Sequence, residues 1–68
     1  MNAADQAELN LHRSRLQLVS ISLSAWAIWE HDHSQPEPGG LHRGGLENLK
    51  RFLQSQIDRL ERANPLLP

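Results

Sequence analysis

The chain has 68 residues, no cysteine, a formal net charge of −1 and a pI near 6.4. Absence of cysteine excludes a disulfide framework and a thiolate metal site. A near-neutral charge is not the electrostatic footprint expected of a nucleic-acid binder, and a chain this short rarely completes a core alone. Twelve leucines and only three aromatic residues, Trp26, Trp29 and Phe52, suit helices better than a sheet.

Residues 2 to about 31 are predicted to form one long helix. Asn2 or Asp5 can cap it, and the alanines at 3, 4 and 7 favour helix. Glu8 and His12 stand four apart and can pair on its surface. This helix carries two apolar seams. Leu9, His12, Leu16, Val19, Leu23 and Trp26 follow one three-and-four spacing. Leu11, Leu18, Ile21, Ala25 and Ile28 follow a second, with Ser14 in its open slot. The second seam starts two residues later, so it points about 160° away from the first at about 100° per residue. A helix that is apolar on opposed sides needs more than one partner.

Residues 18–25 also alternate apolar and serine, which is a strand pattern. A strand would need a second copy to pair with, as a two-stranded ribbon. No turn signal separates this stretch from the helical residues before it, so helix is the expectation.

The weakly polar run Leu16–Trp29 is fourteen residues long and holds Gln17, Ser20, Ser22 and Ser24. A membrane-spanning helix needs about twenty apolar residues. Asp5 and Glu8 precede the run, unlike the basic start of a signal peptide. The expectation is a cytoplasmic protein with no membrane role.

Residues 32–44 read as a linker, because two prolines and three glycines rule out a continuous helix there. It is long enough for the flanking helices to fold back antiparallel. Gly39–Gly40 and Gly44–Gly45 read as hinge glycines; no lysine and hydroxyl residue follow them as a phosphate loop requires.

A second helix is expected from residue 45 to about 63. Leu46, Leu49, Leu53, Ile57 and Leu60 form one stripe, widened by Phe52 and Ala63. Glu47–Arg51 and Asp58–Arg62 are i, i+4 pairs in the favourable acid-first order. Asn64–Pro65 ends the helix, and Leu66–Leu67–Pro68 completes a short tail over 64–68.

Little in the chain suggests chemistry. Glu30, His31, Asp32, His33 and His42 are the only ligand-type cluster. Two histidines two apart converge only on extended backbone, so no metal site is expected and the residues read as a solvated helix end. His12 reads as a partly exposed histidine near the helix start rather than a pH switch. The serines lack the glycine-framed elbow of a nucleophile. No catalytic residue and no cofactor are expected.

The expected fold is therefore all-α. It is a helical hairpin spanning 1–68 as one small domain, with a long first helix, a Pro/Gly linker and a shorter amphipathic second helix. The first seam packs on the second helix. Leu11, Leu18, Ile21, Ala25 and Ile28 pair with a second copy, giving a four-helix assembly. The expected function is a non-enzymatic regulator, adaptor or inhibitor that binds a larger client protein through Trp29, Glu30 and His33. The alternative is a structural subunit of a larger homo- or hetero-oligomer.

Overall fold

The computed structural model describes residues 2–64 and contains two helices, α1 (Ala3–His31) and α2 (Arg43–Ala63). The tail residues 65–68 named above lie outside the described residues. The described chain is a rod measuring 49 × 20 × 16 Å.

Asn2 caps α1. Its backbone is extended, and its side chain accepts from the Asp5 amide at 2.8 Å. Asp5 in the first turn and His31 in the last complement the helix dipole. Residues 18–25 are helical throughout. There the hydroxyl of Ser24 donates to the Ser20 carbonyl one turn back at 3.1 Å, a local bond that lets serine sit inside a helix.

The second helix begins at Arg43, two residues before the expected start, so the connection is residues 32–42 rather than 32–44. Gly44 and Gly45 are not hinges but lie in the first turn of α2. Glycine weakens a helix without forbidding it. Arg43 compensates by pairing with Glu47 one turn on, at 3.2 Å, and with Glu30 of α1. The hinge proper is Gly40, whose φ of 80° suits glycine. At the far end the Asn64 amide donates to the Leu60 carbonyl and closes α2.

The helices run antiparallel and pack on each other. Cross-helix bonds join Asp5 to Asn64 at 3.0 Å, Glu8 to Arg59 at 3.1 Å and Arg13 to Glu61 at 3.1 Å, with Glu30–Arg43 at the linker end. The buried side chains between them are Leu9, Val19 and Trp26 of α1 and Leu46, Leu53 and Leu60 of α2. Leu16, Leu23, Trp29 and Leu49 pack partly buried against this core. The first seam of α1 is thus the one that faces α2.

Several expectations are corrected. Phe52 and Ala63 do not widen the α2 stripe: both are exposed. Phe52 directly precedes buried Leu53, and consecutive helical residues point about 100° apart. Neither acid-first pair forms an ion pair among the described residues; Glu47 takes Arg43 instead, and Arg51 donates to Asn48. His12 is not partly exposed but buried, because it belongs to the seam that α2 covers.

Candidate interaction surface

The surface that the hairpin leaves open is the second seam of α1. Its first member, Leu11, is 47% exposed, and Leu18, Ile21 and Ile28 are 64%, 59% and 60% exposed. Ser14 is exposed and Ala25 half-buried between them. From Leu11 to Ile28 the seam extends about 25 Å at about 1.5 Å per residue. No charged residue occurs between Arg15 and Glu30. Water therefore meets a largely apolar ridge on α1, interrupted at Ser14, on the side away from α2. Contiguous exposed apolar surface of this kind marks interaction sites in soluble proteins.

Trp29, Glu30 and His33 lie at the closed end of the hairpin. Trp29, which belongs to neither seam, is half-buried and packs against the core cluster. Its ring meets Trp26 edge-on at 5.6 Å and His33 edge-on at 4.3 Å. On the other side of Trp26 lies the ring of His42, at 5.5 Å. Four rings in the order His33, Trp29, Trp26, His42 thus cover this end of the core. Glu30 is exposed but engaged by Arg43.

That arrangement draws the histidines toward the tryptophans. Among the described residues no group of three His, Cys, Asp or Glu side chains is placed to hold a metal ion. Asp32 turns instead to Ser34, accepting from its amide at 3.0 Å and from its hydroxyl. Those bonds favour the ionised carboxylate, so Asp32 titrates below the ordinary aspartate value, with the Ser34 hydroxyl the leading cause. Glu47 and Glu30 together hold the Arg43 guanidinium above its ordinary value.

Among the described residues the buried polar side chain is that of His12. Its Nε2 lies 3.4 Å from Glu8, and its Nδ1 is buried with no hydrogen-bond partner. Glu8 is shared, since it also accepts from Arg59. The Glu8–His12 spacing was legible in the sequence. The link from Glu8 to Arg59, 51 residues on, was not.

No family model matches the chain, and no curated protein or solved structure matches it either. No described helix is long and apolar enough to cross a membrane.

Proposed function

We propose that this protein is a non-enzymatic binding module, a small regulator, adaptor or inhibitor that works as a homodimer. One observation carries this reading: Leu11, Leu18, Ile21 and Ile28 stand about half exposed or more in one line on α1 while the opposed seam of the same helix packs on α2. Burying a leucine or isoleucine side chain is worth about 1.5–3 kcal/mol. A free hairpin leaves roughly half of that unrealised at each of four positions. A second copy presents the same ridge and realises it twice over, as an isologous contact does. Small helical chains commonly complete their cores in this way.

The client surface of this reading is the closed end, Trp29, Glu30 and His33, beside the exposed linker. A half-buried tryptophan flanked by polar groups and a Pro/Gly loop has the composition of a binding anchor with an adaptable rim.

Ile21→Asp tests the dimer. Ile21 is exposed in the hairpin, so the change leaves the intrachain core intact. In a dimer it would bury an unpaired charge, at a cost of several kcal/mol. Light scattering is expected to give a dimer for the unaltered protein and a helical monomer for Ile21→Asp. A stable monomer of the unaltered chain at micromolar concentration refutes the reading.

A further inference from the structure

The order of residues along the open ridge says more than that a second copy covers it. We infer that the two copies pair α1 against α1 in antiparallel orientation, about a two-fold axis between Val19 and Ser20. This rests on the homodimer reading and adds its geometry.

The ridge consists of Leu11, Ser14, Leu18, Ile21, Ala25 and Ile28. In side-chain size it runs large, small, large, large, small, large, which is the same read in either direction. Its spacings of three, four, three, four and three residues are also the same in either direction. An antiparallel copy therefore sets Leu11 against the second copy's Ile28, Ser14 against its Ala25 and Leu18 against its Ile21. Each relation holds in reverse, as two-fold symmetry demands. The two layers of small residues let the helices approach closely, and the large residues fill the layers at the centre and the ends. A shift of one heptad sets only four layers of each ridge against the other and leaves Leu11 and Ser14, or Ala25 and Ile28, outside the contact. Among antiparallel registers, full overlap thus occurs at one.

Like charges disfavour the parallel orientation. Arg13 and Arg15 lie at one end of the ridge, Glu30 and Asp32 at the other, but Arg13 is paired with Glu61 and Glu30 with Arg43 inside the hairpin. Arg15 has no ion-pair partner among the described residues, and Asp32 is bonded only within its own turn. Parallel copies would place arginine beside arginine and aspartate beside aspartate. Antiparallel copies instead set the two Arg15 side chains about 13 Å apart along the axis, and the two Asp32 side chains farther still. Helix dipoles also oppose favourably, and the two linkers of residues 32–42 fall at opposite ends instead of crowding one. The product is a four-helix layer with α1 and its copy inside and each α2 outside.

The chain has no cysteine, so single cysteines report on this contact without background. Leu11→Cys and Ile28→Cys are made separately; both positions are exposed in the hairpin, and circular dichroism checks that the helices remain. Each protein is oxidised alone and after mixing and re-equilibration. In the antiparallel dimer like positions stand about 25 Å apart, beyond disulfide reach. The expected result is a covalent dimer in the mixture, containing one chain of each kind, at least tenfold more abundant than in either protein alone. Rapid cross-linking of Leu11→Cys with itself would overturn the antiparallel arrangement. Light scattering of the same samples separates the two failures: a dimer that cross-links like with like refutes the orientation alone, and a monomer refutes the homodimer reading as well.

Discussion

The indole Nε1 of Trp26 donates to the carbonyl oxygen of Leu41 at 3.0 Å. A core side chain of α1 thereby holds the linker just before α2 begins. The bond satisfies the one polar atom of a buried tryptophan, which such a residue needs. It also fixes where the chain turns back, since His42 at the start of α2 lies against the same ring.

Trp26→Ala is therefore expected to destabilise the hairpin by roughly 3–5 kcal/mol, the range for removing a large buried aromatic. Trp26→Leu keeps apolar volume but releases Leu41, and is expected to cost less. Urea unfolding at one fixed protein concentration measures both, because stability coupled to dimerisation depends on concentration. An alanine variant within 1 kcal/mol of the parent would show that Trp26 does not anchor the core.

Trp29 is the informative comparison. It touches Trp26 edge-on and packs half-buried on the core cluster, so Trp29→Ala is expected to cost about 1–2 kcal/mol, less than Trp26→Ala. A larger separate effect on client binding, measured on protein that remains folded, is expected if this end is the client surface. Equal destabilisation by both substitutions, with binding unchanged, would assign both rings to the core alone.

These two residues also show what the sequence could and could not tell. The first seam of α1 and the leucine stripe of α2 were legible because helical periodicity sorts faces without knowledge of neighbours. Local chemistry narrowed the cap of α1 to Asn2 or Asp5, and the bond from the Asp5 amide to Asn2 decides between them. Trp29 lies between the seams, where burial depends on how far α2 and the linker reach, so periodicity alone does not place it. His12 was misjudged for a related reason: its position in the seam pointed inward, while its polarity and place near the helix start pointed outward, and packing decided. The ion pairs went the same way. Glu47 could choose between Arg43 and Arg51 at equal spacing, and the choice fell to Arg43, which Glu30 of the other helix also holds.

His12→Leu is expected to leave stability unchanged or raise it by about 1 kcal/mol. Nδ1 is buried without a partner, and replacing such a group by an apolar one of similar shape removes a desolvation penalty. Glu8 keeps Arg59 in the variant, so no new unpaired charge arises. A loss above 1 kcal/mol in urea unfolding would mean that the contact with Glu8 outweighs the orphaned nitrogen.

Asp32 makes a pH prediction of definite sign. Its carboxylate is held below the ordinary aspartate value, first by the Ser34 hydroxyl and next by the Ser34 amide. A group with a depressed folded value contributes stability above its unfolded value, near 3.8, and loses it as pH falls through the folded value. The side chain is exposed, so the effect on global stability is small and carbon NMR titration of Asp32 is the proper measurement. Ser34→Ala is expected to move the midpoint up toward the ordinary value without restoring it fully, since the residue 34 amide still donates. An unmoved midpoint would show that the hydroxyl is not the leading cause.

Gly44 offers a gain. It lies in the first turn of α2 with a φ that is not positive, and nothing approaches within 4 Å of where a Cβ would stand. Alanine fits there without strain, restricts the unfolded chain and favours helix, so Gly44→Ala is expected to stabilise by about 0.4–1 kcal/mol. Gly40 is the control. Nothing crowds it either, but its φ of 80° is one that side-chain-bearing residues rarely adopt. Gly40→Ala is therefore expected to destabilise, by about 1 kcal/mol. Thermal melts of the two variants at equal concentration should shift in opposite directions. If Gly44→Ala lowers the midpoint, the first turn of α2 is not helical in solution, and the connection extends to residue 44 as periodicity alone suggests.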